Sequence, residues 1–319
     1  MRNTTVIAAP GGVLRGSHEG KDRKGSTKTR ATRRIVGLDS LMNVISFTVL
    51  VWFGGLAAGL LGSLTGLGGG VVIVPLLTLV FGVDIHYALG ASLISVIATS
   101  SGAASAYVRE GYSNIRIGMF LEIATTLGGI AGASLTTILP PGIIAVIFGG
   151  VLILSSYLSS RRPRDSPDCV PDRLTTRLRM GGTYPTPEGK KSYHARNVLG
   201  GFGLMSIAGL LSGLLGIGSG ALKVLAMDMI MCLPFKVSTT TSNFMIGVTA
   251  AASAGIYLGN GYIEPALAMP VVLGVLPGSM LGSRILGGAS VRVLRLIFTL
   301  TILALGLEMI YNGLSGGLG

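Results

Sequence analysis

Apolar residues fall into two trains of segments separated by one polar stretch. The first train runs through 41–62, 71–83, 88–108, 117–139 and 143–158; the second through 198–215, 221–233, 237–258, 263–283 and 291–311. A helix that crosses a bilayer needs roughly 20 apolar residues. Eight of these runs therefore read as full spans, while 71–83 and 221–233, with 13 residues each, are short for a crossing. A glycine cluster precedes each short run, GLGGG at 66–70 and GIGSG at 216–220. The pattern predicts an all-α polytopic membrane protein with two homologous halves. Each half has about four full transmembrane helices plus one short or re-entrant helix after the Gly-rich break. The divisions expected are a disordered basic tail (1–40), a first membrane repeat (41–159), a basic polar linker (160–196), a second membrane repeat (197–313) and a C-terminal tail (314–319). Five prolines in the linker, from Pro163 to Pro187, argue against a long helix there.

The two trains are related by a displacement of 150 residues. Gly59 meets Gly209, Leu64 meets Leu214, Gly66, Gly68 and Gly70 meet Gly216, Gly218 and Gly220, and Ser92, Thr99 and Tyr107 meet Ser242, Thr249 and Tyr257. Further on, Gly128 and Gly132 meet Gly278 and Gly282. The relative orientation of the halves depends on the short helices. If they fold back, each half crosses four times and the halves are parallel; if they cross, each crosses five times and the halves are inverted.

Composition removes the soluble alternatives. Hydrophobic residues make up 49% and charged residues 12%, with mean hydropathy +0.69 and 50 glycines, which no ordinary soluble domain shows. The net charge of +12 is confined to two places: residues 1–40 carry 9 Lys/Arg against 3 acids, and 160–196 carry 9 against 4. Such flanking charge suits cytoplasmic tails and loops of an inner-membrane protein rather than nucleic-acid binding. Placing both segments inside requires an even number of crossings in the first half, whereas crossing short helices put the linker on the other side. Cys169 and Cys232 suggest no disulfide framework.

Candidate chemistry follows from the breaks. Irregular backbone at membrane depth is tolerated only where protein buries it or a cavity is lined by it, and interrupted helices at matched positions of two halves point to a transporter site near the midplane. Gly68, Gly69 and Gly70 with Gly218, Ser219 and Gly220 are thus expected around a substrate; close helix packing through small residues is the competing reading. Lys223, one turn beyond the second break, would meet an anion. Thr240, Thr241, Ser242 and Asn243, within an unbroken polar run that begins at Ser238, would orient it, or else serve as caps and interhelical bonds. Charged residues within apolar runs are costly and mark function or pairing, so Asp228 and Glu122 are candidates for a coupling proton or sodium ion. Lys223 and Asp228, five residues apart, lie about 140° apart around a helix and would not pair along one face. Glu122 could alternatively pair with Arg116. Glu308, Tyr107 and Tyr257 are expected at the membrane interface and His86 in a solvated turn.

GLGGGVVIVP and GIGSGALKVL, each followed by a short apolar stretch and an Ala/Ser/Thr-rich helix, resemble the corresponding motifs of the sulfite exporter TauE/SafE family over about residues 41–313. The resemblance implies a secondary transporter of small anions such as sulfite or sulfoacetate, with no cofactor. Departures are Leu225 for Pro75, Ser219 for Gly69 and Lys223 for Ile73 between the halves. The expected partners are a small anionic substrate, membrane lipid and a coupling ion, with a homodimer left open and no nucleic acid. Enzymatic function is not expected. The three histidines, His18, His86 and His194, offer none for Ser219, and GxGxG is neither a dinucleotide nor a P-loop motif. An anion channel, a cation-coupled carrier of another solute and a non-transporting scaffold are the competing classes.

Overall fold

The computed structural model describes residues 45–62, 69–109, 113–160, 172–178, 180–186, 189–286 and 291–316. The chain divides into two units, Met1–Ser46 and Phe47–Gly319, and the packing below concerns the second. Helix α1 (Ile45–Gly62) is followed by a short α2 (Gly70–Pro75) that widens into a π-helical turn (Leu76–Val80), then by α3 (Ile85–Arg109), α4 (Ile115–Thr136) and α5 (Pro141–Ser160). After the linker come α7 (Val198–Leu215), a short α8 (Gly220–Leu225) with its own π-helical turn (Ala226–Ile230), α9 (Phe235–Gly259), α10 (Pro265–Leu286) and α11 (Val291–Ser315). From α2 to α5, each element begins 150 residues before one of α8 to α11. Among the described residues, Ile45–Gly62, Ile115–Thr136 and Val198–Leu215 are long and apolar enough to cross a membrane.

The membrane part is helical, as expected, but the linker is not simply irregular. It holds a one-turn helix α6 (Arg173–Arg177) and an antiparallel hairpin of β1 (Gly181–Thr186) and β2 (Gly189–His194), with Gly181 opposite His194 and Thr186 opposite Gly189. The prolines do exclude a long helix; they leave room for extended chain. Asn114 joins this hairpin to the membrane part: its Oδ1 caps α4 by accepting the Ile117 N–H, and its Nδ2 donates to the Tyr193 hydroxyl at 2.7 Å. Burial raises the Tyr193 pKa above the ordinary tyrosine value. Cys232 is disulfide-bonded, contrary to the sequence reading. The chain's other cysteine, Cys169, lies outside the described residues.

Pro75, immediately before the first π-helical turn, lacks an N–H for the helical ladder and offers one explanation of it. The same turn forms after Leu225, where no proline stands. The turn therefore belongs to the geometry of the break and not to one residue. Pro141 and Pro265 open α5 and α10, the first helical position being the one where a missing N–H costs nothing.

Contacts along the helices fix their relative directions. Asn114, Glu122 and Thr136 on α4 meet Thr241, Thr249 and Tyr257 on α9 in the same order, so these two run parallel. Thr125 and Gly129 of α4 likewise meet Gly209 and Gly213 of α7. Helices α4, α7 and α9 form one parallel group. In the other group, Gly55 and Gly59 of α1 meet Val271 and Val275 of α10, and Gly90 near the start of α3 meets Tyr262 just ahead of α10. Between the groups, α3 and α9 are antiparallel. His86 at the start of α3 stacks on Tyr262 beyond the end of α9 at 4.9 Å, while Ser100 meets Gly247. Helices α5 and α11 are also antiparallel, with Gly142 beside Gly313, Gly149 beside Gly306 and the Ser156 hydroxyl donating to the Thr299 carbonyl. One apolar core joins α4, α7, α9 and the second π-helical turn with Met180 and Tyr193 of the linker, and a larger one holds the remainder.

Candidate functional site

The second glycine break runs through the seam between the two groups. Gly216 ends α7 with φ 62°, Gly218 has φ 72° and Ser219 φ 42°, conformations in which a left-handed backbone favours glycine. A side chain at Gly216 would meet the Leu89 carbonyl of α3, and one at Gly218 would meet Ile246 of α9 and Val96 of α3. The chain thus passes between α3 and α9 before α8 begins. The Ser92 hydroxyl donates to the Gly216 carbonyl at 2.7 Å, and the Ser242 hydroxyl approaches the Gly220 carbonyl at 3.4 Å. Gly70, opening α2, is adjacent: a Cβ there would lie 3.2 Å from the Gly216 carbonyl oxygen and 2.6 Å from Ser92 Oγ. Gly70, the last residue of the first glycine cluster, thus meets the second break, and a serine from α3 and a serine from α9 support that place.

Lys223 is fully buried, at 0% exposure. Its Nζ donates to Thr249 Oγ1 at 2.7 Å, and Thr249 Oγ1 is in turn 2.7 Å from Glu122 Oε1. Thr126 donates to the same carboxylate oxygen at 3.0 Å. Glu122, 6% exposed, leaves its other oxygen, Oε2, buried and with no hydrogen-bond partner. A lysine of α8, a threonine of α9 and a glutamate of α4 thus make one buried polar cluster inside the parallel group. Thr249 can touch both ends because a hydroxyl accepts from an ammonium through a lone pair while its single proton is directed to the carboxylate, the nearer acceptor, with the Met245 carbonyl at 3.0 Å as the other.

The polar run that sequence assigned to a substrate is mostly committed to backbone. Ser219 donates to the Ala208 carbonyl at 2.6 Å, which ties the break to α7. Thr240 donates to the Lys236 carbonyl one turn back, and Thr241 accepts the Asn114 N–H at 3.1 Å. Asn243 is 8% exposed and lies one turn ahead of Gly247, on the side of α9 that faces Ser100 of α3. Gly69 has ordinary helical geometry, with Val275 Cγ1 3.4 Å from where a Cβ would stand. Gly68 lies outside the described residues.

Asp228 is half-buried in the π-helical turn, and the carboxylate joined to Lys223 is that of Glu122. Glu122 bonds to Thr126 and Thr249. Tyr257, expected at the interface, is instead 1% exposed; its hydroxyl donates to the Gly213 or Leu214 carbonyl and lies 3.1 Å from Thr136 Oγ1. His86 is not simply solvated, because it pairs with Asp84 at 3.0 Å and stacks on Tyr262. Glu308 is exposed, and the Tyr107 side chain lies outside the described residues. The residues missed in the sequence are Thr249 and Thr126. Thr249 was visible only as a repeat partner of Thr99, since its separation from Lys223 and Glu122 in the chain carries no periodicity.

A bundle of apolar helices that holds a lysine and a glutamate bridged by a threonine in its interior is the architecture of an all-α membrane protein. Residues 51–309 match the family described as Sulfite exporter TauE/SafE, and the chain belongs to that family. It is similar to the probable membrane transporter protein YunE of Bacillus subtilis, 28% identical over 85% of this chain and 99% of the relative. It is also similar to YdhB of the same organism, again a probable membrane transporter protein, at 27% over 79% and 96%. A probable membrane transporter protein of Xylella fastidiosa is 25% identical over 85% and 97%. No solved structure matches this chain significantly.

Proposed function

We propose that this membrane transporter is a secondary active carrier of small oxidised-sulfur anions, sulfite or sulfonates such as sulfoacetate, in the cytoplasmic membrane. It works by alternating access between two homologous halves of inverted topology. The observation that carries the anion reading is the fully buried Lys223 beside the second break. An ammonium at membrane depth is costly and is retained where it binds or pairs. The inverted reading is supported by helix direction. α3 and α9 begin 150 residues apart and run antiparallel, as do α5 and α11. Halves related by an axis along the membrane normal would place such counterparts parallel. The seam between α3 and α9, where Gly70 meets the second break, is then the surface across which the two groups rock.

In this reading an anion enters the seam beside Gly216, Gly218 and Asn243 and is neutralised by Lys223. The hydroxyls at Ser92, Ser219 and Ser242 hold the backbone of the breaks in shape. The test is efflux of sulfite and of methanesulfonate from proteoliposomes. Saturable flux that Lys223→Ala weakens in apparent affinity by about 10- to 100-fold, the range expected for losing one charge-assisted contact, supports the carrier. Flux that does not saturate and ignores counter-ions would make the protein a channel, and absence of flux and of ligand-induced thermal stabilisation for every oxidised-sulfur anion would remove the anion reading.

A further inference from the structure

We propose that Glu122 is the proton-binding site of this carrier and that proton and anion enter the Lys223 cluster together, one of each. The inference rests on the anion-carrier reading and adds its coupling. With Glu122 ionised, the charge of Lys223 is already balanced through Thr249. A monovalent anion arriving at that cluster would leave a net negative charge buried at membrane depth, which costs several kcal/mol. With Glu122 protonated, the cluster carries one positive charge, and the anion brings it to zero. The bare oxygen Oε2 is where the proton goes, because Oε1 already accepts from Thr126 and Thr249 while Oε2 has no partner.

A proton fits this place better than a metal cation. A proton needs only the one bare carboxylate oxygen, whereas sodium wants several oxygens around it. The other charged or titratable groups of the packed elements lie at other positions along them. They are Arg116 at the start of α4, Lys236 at the start of α9, Tyr257 towards its end, Asp228 in the π-helical turn, the exposed Tyr157 of α5, His86 and Tyr87 in the first turn of α3, and Tyr107 and Arg109 in its last, whereas α7 carries none. The cluster is also unique to one half. Displaced by 150 residues, Lys223, Thr249 and Glu122 correspond to Ile73, Thr99 and Val272. Coupling therefore belongs to the group of α4, α7, α8 and α9 alone, although both groups take part in the movement.

The experiment is calorimetric titration of the purified protein with methanesulfonate, whose charge does not change with pH, in two buffers of different ionisation enthalpy. The expected result is uptake of about one proton per anion and an affinity that falls about tenfold per pH unit on the alkaline side. In Glu122→Gln both effects vanish. Binding by the natural protein with no proton uptake overturns the proposal and leaves the anion carrier standing, as does identical proton uptake in Glu122→Gln. Affinity that depends on sodium with no proton taken up overturns it in favour of a sodium site. If methanesulfonate, sulfoacetate and sulfite all fail to bind, the anion reading falls and the coupling with it. Should Glu122→Gln not fold, the proton count of the natural protein decides alone.

Discussion

At the scale of single residues, the Lys223–Thr249–Glu122 cluster has energetic consequences that do not depend on its function. A buried charge left without its partner costs about 3–5 kcal/mol, whereas replacing both partners by apolar groups of similar size is often neutral. Glu122→Leu is therefore expected to lower the thermal stability of the detergent-solubilised protein strongly, and Lys223→Met/Glu122→Leu less than the single change. A double variant as destabilised as the sum of the two would show that the groups are not coupled. Thr249→Val, which removes the bridging hydroxyl but keeps the shape, is expected to cost roughly 1–3 kcal/mol, with Thr249→Ser close to the natural protein. Little of this was legible beforehand. Lys223 and Glu122 stand out as charges within apolar runs, but nothing in the chain says that they share a threonine, because helix directions and rotations decide which side chains meet.

At the scale of elements, close approach of backbones dominates. A Cβ at Gly132 of α4 would run into the Leu210 carbonyl of α7, and one at Gly213 of α7 into the Gly129 carbonyl of α4. In lipid the apolar effect does not drive helices together, so small residues that let backbones touch supply the packing. Gly213→Val is expected to lower the thermal midpoint by several degrees, a loss of about 1–3 kcal/mol from overpacking. Gly150→Ala serves as the control, since its Cβ would meet nothing within 4 Å. Equal effects of the two would exclude tight α4–α7 packing. The sequence identified Gly128 and Gly132 as repeat positions, and the partners, Ser206 and Leu210, needed the fold.

At the scale of the whole molecule, the proposed inverted topology, with five crossings per half, would separate the linker from the carboxyl end of α11, whereas four crossings would keep them together. Ser192 on the hairpin and Ser315 at the end of α11 are exposed. With Cys169 and Cys232 changed to serine, Ser192→Cys and Ser315→Cys are each expected to react with a membrane-impermeant maleimide from opposite sides of sealed vesicles. Reaction from the same side would return the halves to parallel topology.

The amino-acid sequence by itself determined the class of protein, the number and order of the apolar segments, the positions of the breaks and their 150-residue spacing, because bilayer thickness and glycine chemistry act on local stretches of chain. It also exposed Lys223 and Glu122 as charges in the wrong solvent. Tertiary structure alone decided that α4 joins α7 and α9, that counterpart helices oppose each other, and that most of the polar run at 238–243 serves backbone carbonyls. It alone gave Lys223 the carboxylate of Glu122, more than 100 residues away in the chain. These are long-range matters of direction and rotation, and a 3.6-residue period marks which face of a helix is polar without saying which other helix that face will meet.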